Sequence, residues 1–408
     1  MQGNPVFKIL ESTETGINFS NDLTMSPDMN LFKYMYFFNG SGVGLGDFNN
    51  DGLIDIYFSG NQVADKLYLN KGALKFEDIT EKAGIVHNAQ NWSNGVAVVD
   101  INQDGLLDIY VSHVTNLLTL TGHDQLFVCK EINKEGIPIY EEKSAEYGLN
   151  LTRFGTQTAF FDYDLDGDLD LFVLNHTINH NGTFGPRKSF VGTFHPLAGD
   201  RFFRNDNGKY TEITKTVGIN SSVIGYGLGI TITDVNLDGY PDIYVGNDFH
   251  ENDYLYINQK NGTFKEEIDT YIMHTSRYSM GVDAGDLNND AFDEIMSLDM
   301  QPYDPFILKA SEGEDAFALF NYKLNYGYNH QYSRNALQIN NGNGTFSETA
   351  MYSKVFDTDW SWATLFMDFD NDGNKDIFVS NGIPKRMNDI DYIKFASDDE
   401  FQKKIRDN

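Results

Sequence analysis

The 408-residue chain carries 60 Asp and Glu against 30 Lys and Arg, a formal charge of −30, which argues against nucleic acid or anionic membrane surfaces as partners. Hydrophobic residues make up 40% of it, with 31 Phe and 23 Tyr to build a core, and Cys129 as the one cysteine excludes an internal disulfide. No apolar stretch reaches the length of a transmembrane helix, and Met1-Gln2-Gly3-Asn4-Pro5 has neither the basic nor the apolar part of a signal peptide.

From the N-terminus, Phe7 to Ser12 reads as a lone outer β-strand. Beyond it one unit repeats six times at intervals of roughly 50 to 80 residues, without a linker, which favours a single large repeat domain. Each unit reads as four strands. The first is rich in small residues, as in Gly42 to Gly46, Gly95 to Val99 and Gly227 to Ile230. Small side chains suit innermost strands crowded around an axis. An Asp-rich loop and a short β-branched and aromatic run follow, such as Asp55-Ile56-Tyr57-Phe58 or Asp242-Ile243-Tyr244-Val245. The third strands are Lys66 to Asn70, Gln125 to Val128, Arg201 to Asn205, Tyr254 to Asn258 and Ala336 to Asn340. Fourth strands read at Lys75 to Thr80, Lys209 to Thr214, Thr263 to Glu266 and Thr345 to Glu348, with Asn261-Gly262 and Asn343-Gly344 as hairpin turns. After the sixth loop only two strands are evident, then a charged, helical tail over 391–408 behind a propeller of residues 1–390. The expected class is all-β: a propeller of four-stranded blades, six repeats of it visible.

The loops carry the chemistry. Oxygen ligands at positions 1, 3, 5 and 9, with a turn glycine at 6 that frees the carbonyl of 7, suit a hard cation such as Ca²⁺. The first loop offers Asp47, Asn49, Asp51, the carbonyl of Leu53, and Asp55; the second Asp100, Asn102, Asp104, Leu106 and Asp108. The third offers Asp162, Asp164, Asp166, Asp168 and Asp170; the fourth Asp234, Asn236, Asp238, Tyr240 and Asp242. The fifth offers Asp286, Asn288, Asp290, Phe292 and Glu294; the sixth Asp368, Asp370, Asp372, Asn374 and Asp376. An EF-hand would need a bidentate Glu at position 12, where this chain has Phe58, Val111, Val173, Val245, Ser297 and Val379. The loops therefore sit in β-hairpins. An ion-free Asp/Asn/Gly turn would explain one copy, but six copies would leave carboxylates repelling at about 1 kcal/mol per pair even in water. Five or six Ca²⁺ sites are expected, the one from Asp286 to Glu294 weakest because Ala291 replaces the turn glycine. Sites of this kind in extracellular modules bind at about 10⁻⁴ to 10⁻³ M, and so fill where calcium is plentiful. An extracellular or cell-surface location follows as an expectation.

These repeats resemble the FG-GAP or VCBS repeats of integrin α-chain propellers and of bacterial secreted proteins. The resemblance is greatest to bacterial surface VCBS-repeat and cartilage-acidic-protein-like proteins, on Phe76 to Gly84, Phe160 to Asp170 and Thr358 to Trp362, and it covers residues 6 to about 392. It implies a seven-bladed ring of which this is the front portion, with six blades as the alternative. It also implies export, often as a lipid-anchored outer-membrane protein, although this sequence has no Cys at its start to carry the lipid.

The loops joining second to third strands emerge opposite the calcium loops, and histidines gather there. His113, His176, His180, Asn247, Asp248, His250, Glu251 and Asp253 fall in them, with His195 and His274 nearby. They predict a polar rim able to bind a glycan or protein; ordinary surface loops are the plainer reading. Trp92, Trp360 and Trp362 offer a sugar-stacking platform or packing between blades. Three functions compete: a surface binding module for glycan or protein, a calcium-dependent polysaccharide lyase or other carbohydrate-active enzyme, and a segment of a larger adhesion or transport assembly. The enzyme reading would draw on His176, His180, His250 and Arg201. Without a nucleophile elbow, phosphate loop or zinc spacing, binding is favoured.

Overall fold

The computed structural model describes residues 7–88, 90–177, 185–398, 400 and 403. Blade one consists of Val43–Gly46, Asp55–Phe58, Lys66–Asn70 and Phe76–Asp78; blade two of Trp92–Val99, Asp108–Val114, Gln125–Ile132 and Pro138–Glu142. Blade three consists of Gly155–Phe161, Asp170–Asn175, Arg201–Asn205 and Tyr210–Glu212; blade four of Gly227–Thr233, Asp242–Asn247, Tyr254–Asn258 and Phe264–Glu266. Blade five is Val282–Gly285, Glu294–Ser297, Ala336–Asn340 and Phe346–Glu348. In each, the strands pair antiparallel in chain order. The sixth sheet holds Ser361–Met367 and Asp376–Asn381.

Each inner strand touches the inner strand of the next blade, from blade one to blade six. This is the arrangement of a multi-bladed propeller. Glycine makes the close approach possible: a Cβ on Gly44 would lie 2.8 Å from both Val96 Cγ1 and Val98 Cγ2 of the next inner strand. The period-two pattern then turns alternate side chains into the seam between neighbours. Tyr57 and Leu67 of blade one meet Ile109, Val111 and Phe127 of blade two. Phe172 and Phe202 of blade three meet Ile243, Val245 and Tyr256 of blade four. Fully burying side chains of this size is worth about 1.5 to 3 kcal/mol each, so the seams between sheets are the core.

Outside the sheets, the segment Met29 to Phe38 lies across the face opposite the Asp-rich loops. Tyr34, Tyr36 and Phe37 bury there against Trp92, Val114, Phe154 and Tyr226 of blades two to four. The connection between the second and third strands of blade five contains helices Pro305–Ala310 and Phe317–Asn325. Two expectations need correction or completion. Residues 7–11 are not a strand, because no described third strand lies where they could pair. The tail forms helix Ile390–Ala396, and residues beyond 398, apart from 400 and 403, lie outside the described set. Among the described residues no helix is long and apolar enough to cross a membrane.

Candidate metal-binding loops and the opposite face

All six Asp-rich loops join an inner to a second strand, and all share one hydrogen-bond frame. In the first, both oxygens of Asp47 accept backbone N–H bonds, from Asp51 at 2.9 Å and Gly52 at 2.7 Å, while Asp51 Oδ1 accepts the N–H of Leu53 at 2.9 Å. The same three bonds recur in loop three through Asp162, Asp166 and Asp168, and in loop six through Asp368, Asp372 and Asn374. They recur also in loop two on Asp100, Asp104 and Leu106, in loop four on Asp234, Asp238 and Tyr240, and in loop five on Asp286, Asp290 and Phe292. The position-7 carbonyl follows a residue held in the left-handed region: Gly52, Gly105, Gly167, Gly239 and Gly373 have φ between 84° and 96°. Space is open around each of these glycines, so backbone conformation, not crowding, demands them. Ala291 adopts the same conformation at φ 73°. The geometry of loop five is kept at the cost of strain, about 1 to 2 kcal/mol for a residue with a Cβ.

Position 4 is left-handed as well, at Asn50, Gln103, Leu165, Leu237, Asn289 and Asn371, which the reading of ligand positions missed. Some of these side chains link neighbouring loops. Asn50 Nδ2 donates to the carbonyl of Gly105 at 3.1 Å, Gln103 Nε2 to that of Gly167 at 2.6 Å, and Asn289 Nδ2 to Asn374 Oδ1 at 2.9 Å.

The acid at position 9 is a buried strut. Asp55, Asp108, Asp170 and Asp242 accept the N–H of position 2 with one oxygen and, with the other, an N–H of the third strand at 2.7 to 2.9 Å. Burial raises their carboxyl groups to about 6 for Asp55 and Asp108 and about 7 for Asp170 and Asp242. Glu294 fills the same role in loop five, accepting the N–H of Leu287 at 2.7 Å.

Where position 3 is Asp and not Asn, the carboxylates converge. Oxygens of Asp162, Asp164 and Asp166 lie within 4.8 Å of one another, as do those of Asp368, Asp370 and Asp376. Asp164 Oδ1 is buried with no hydrogen-bond partner, and burial followed by the charges of Asp166 and Asp162 raises this carboxyl. A buried carboxylate oxygen left unpartnered among two other acids fits a hard divalent cation. In loops one, two, four and five, Asn49, Asn102, Asn236 and Asn288 supply a neutral oxygen at this position.

On the opposite face the structure corrects the expected rim. His113 is fully buried, neither ring nitrogen has a hydrogen-bond partner, and burial pushes it down to about 3. His176 is stacked on Phe154 at 5.1 Å and flanked by Tyr34 and Tyr36, with Nδ1 bonded to the carbonyl of Thr177. His176 lies beneath the Met29 to Phe38 segment, whereas His113 is enclosed beside Ser93 and Asp124. His195 is held in the blade-three insertion, where Arg201 donates to its carbonyl, pairs with Glu212 at 3.2 Å and lies over the ring of Phe194. His274 pairs with Glu348 at 3.2 Å, and His250 lies beside Tyr328. His180 falls outside the described residues. The candidates sit in separate local clusters. Trp92 and Trp360 are buried, and the half-buried Trp362 lies beside Trp360 and commits its indole N–H to the carbonyl of Gly382, so the three do not form one open platform.

A second set of buried acids recurs from blade to blade, of which the sequence reading named only Asp253, as part of the polar rim. Asp65, Asp124, Asp200 and Asp253 each stand one residue before a third strand, and each accepts a backbone N–H from the end of the second strand or, for Asp65, from Gly60 just beyond it. Tyr57, Tyr110 and Tyr244 of the second strands donate to Asp65, Asp124 and Asp253 at 2.6 to 2.8 Å. The recurrence of Asp before the third strand, paired with Tyr in the Asp-Ile-Tyr run, was the available signal. Arg153, itself buried, adds an ion pair to Asp124 and donates to Asn175 Oδ1 at 2.9 Å.

Three stretches, residues 47–111, 234–297 and 324–379, match the family model described as FG-GAP-like repeat. Cartilage acidic protein 1 of Xenopus tropicalis is 26% identical over 239 residues, 58% of this chain and 33% of that protein. The human protein of the same name is 31% identical over 142 residues, 34% of this chain and 20% of that protein. The chain thus spans a third or less of the length of these relatives. Among solved structures, an Agrocybe aegerita lectin, whose title describes recognition of non-reducing terminal N-acetylglucosamine, superimposes over 83% of this chain and 70% of its own, with 13% identity and a TM-score of 0.39. The matched stretches are FG-GAP-like repeats, and the chain is homologous over the aligned segments to cartilage acidic protein 1.

Proposed function

We propose that the chain is an extracellular binding module whose blades are stapled by Ca²⁺ at five or six hairpin loops and which meets a protein or glycan on the opposite face. The unpartnered, buried Oδ1 of Asp164 between Asp162 and Asp166 carries the calcium reading. Asp162, Asp164, Asp166, the carbonyl of Asp168 and Asp170 would hold the ion in loop three, and the equivalent positions would do so elsewhere. When bound, the ion supplies charge neutralisation and a cross-link between the two strands of the hairpin. The protein's own part is orientation: the N–H groups of positions 5, 6 and 7 aim the carboxylates before an ion arrives, which lowers the ordering cost of binding.

The ligand face is supported by the blade-five insertion. While Tyr34, Tyr36 and Phe37 pack over blades two to four, this connection exposes Phe306 and Phe317, each 83% accessible, together with Tyr303. Aromatic side chains held out in water are suited to anchoring a partner or stacking on a sugar.

Calorimetric titration with CaCl₂ and melting with and without chelator test the first half. A site filled to ten times its Kd adds about 1.4 kcal/mol, so chelation should lower Tm by roughly ten degrees or more across several sites. Asp166→Ala and Asp372→Ala should each reproduce part of the loss. An unchanged melting curve would remove the stapling role. For the second half, a panel of glycans and purified extracellular proteins is screened by calorimetry. Phe306→Ala with Phe317→Ala should abolish any binding found, and binding that persists would place the ligand elsewhere.

A further inference from the structure

The insertion of blade five walls a part-open cavity of about 210 Å³ at the end of the blade away from its Asp-rich loop. Met300 and Pro302, just past the second strand, and Leu308 of helix Pro305–Ala310 give it an apolar side. Its polar lining includes Asp299, Glu312, Glu314 and Ser333. At roughly 30 Å³ per molecule the space equals about seven waters, enough for one small functional group on a short stem.

Among the described residues, three acids and no base line this space, and the nearest cations are committed elsewhere. Arg277 donates through Nη1 to the carbonyl of Gly313 at 3.2 Å, pairs through Nη2 with Asp315 at 3.1 Å and lies over the ring of Tyr278, with Glu312 3.8 Å away. Arg334 stands 4.0 Å from Glu314 and lies over the ring of Tyr332. Neither distance to a glutamate is that of a hydrogen bond. Asp299 uses three of a carboxylate's roughly four acceptor sites on the Ser276 hydroxyl and the N–H groups of Tyr278 and Met300. Glu314 accepts the N–H of Ser333 at 3.0 Å with one oxygen. Burial raises its carboxyl, the charge of Asp299 adding while Ser333, Arg334 and Arg277 oppose. Ser333 itself is 8% exposed, and its buried Oγ has no hydrogen-bond partner among the described residues. A polar ligand would relieve that unmet hydroxyl.

We propose that this cavity takes a primary alkylammonium group, the side chain of a lysine on a basic protein partner. The ammonium donates toward Glu312, Glu314 and the Oγ of Ser333, one acceptor for each of its three donors. Acceptors spread over three residues suit these rotatable donors better than the planar fork of a guanidinium. The methylene stem lies against Met300, Pro302 and Leu308. A formal charge of −30 steers a basic partner toward the chain and repels an anionic glycan. The inference rests on the binding-module reading and names its ligand. Phe306 stands on the same helix as Leu308, so an anchored lysine brings its partner beside an exposed aromatic side chain.

The probe is Nα-acetyl-lysine methylamide, titrated by calorimetry into the 408-residue protein in calcium-containing buffer. A ligand of this size should bind with a Kd on the order of 1 mM, and more weakly at higher salt. Acetylating its Nε removes the charge and keeps the stem, and should lower affinity at least about tenfold. The double variant Glu312→Gln/Glu314→Gln should lose affinity by a similar factor. It should melt within about two degrees of the parent, since both side chains are half exposed. Ser333→Ala should weaken binding without loss of stability, because the hydroxyl has no partner to lose. No saturable binding, binding that survives Nε-acetylation, or affinity unchanged in the double variant would each overturn the proposal. Equal or tighter binding of methyl α-glucoside or of the arginine counterpart would overturn it too, by assigning the cavity to another group. Protein partners that bind through Phe306 and Phe317 while the probe stays silent would sink this inference alone. Probe binding that passes every control while no extracellular protein binds would uphold the ammonium site and sink the module reading.

Discussion

The phenol of Tyr244 donates to Asp253 Oδ2 at 2.6 Å in the buried seam between blades four and five, tying a second strand to the start of the third. Two more blades repeat the pair as Tyr57 with Asp65 and Tyr110 with Asp124. Six Asp-rich loops pin one face of the propeller, and these pairs pin the other.

Tyr244→Phe keeps the ring and removes the donor, leaving Asp253 with the Asn247 N–H and Ser279 hydroxyl. Stranding part of a buried carboxylate costs about 1 to 3 kcal/mol. A fall in denaturation midpoint of that size, with unchanged calcium binding, is the expected result; a midpoint equal to that of the parent would mean the strut is idle.

Burial raises the Asp253 carboxyl to about 7, with its hydrogen bonds opposing and the charge of Asp299 adding. The unfolded value is about 3.9, so between these the folded state holds the extra proton and stability falls as pH rises from about 4 to about 7, then levels. Asp253→Asn removes this titration while keeping one acceptor oxygen. Measured in chelator, stability of the variant should decline less than that of the parent across that window. Equal slopes would show that the group does not titrate there.

Ala291→Gly should raise stability by about 0.5 to 1 kcal/mol, because glycine takes φ 73° without the Cβ penalty and the surrounding space is open in the equivalent loops. Calcium titration of loop five should tighten in parallel. A loss of stability would mean the alanine methyl has a packing partner in solution.

Gly44→Ala drives a methyl to within 2.8 Å of Val96 and Val98. Forced into a packed seam, it should cost about 1 to 3 kcal/mol, read as a lower urea midpoint. The same change at Gly52, where nothing lies within 4 Å, should act through φ 85° alone and on calcium affinity as well. Equal effects on affinity at both positions would contradict this division.

Much of the blade plan was legible because its causes are local. The Asp-rich loop, its glycine and the alternating run behind it dictate a hairpin wherever they occur, and the third strands from Lys66 to Asn70, Tyr254 to Asn258 and Ala336 to Asn340 fall where their composition places them. Position 4 and the Tyr to Asp pairs were harder to see, since one concerns a backbone angle and the other joins residues whose separation varies from blade to blade. The histidine rim failed because burial is set by a distant segment. Nothing near His176 in the chain announces that Tyr34 and Tyr36 will cover it or that Phe154 will stack on it, and nothing near His113 announces the buried Asp124 and Arg153 around it.

By itself, then, the order of residues determined the hairpin units, their acid frames and the seams they would form, because each rests on contacts within a few dozen residues. Tertiary structure alone decided which face was sealed, which side chains were left in water at the two end blades, and that Phe7 would sit beside Phe369 from the far end of the chain. Those outcomes depend on how many sheets meet around an axis, a quantity written in no single repeat.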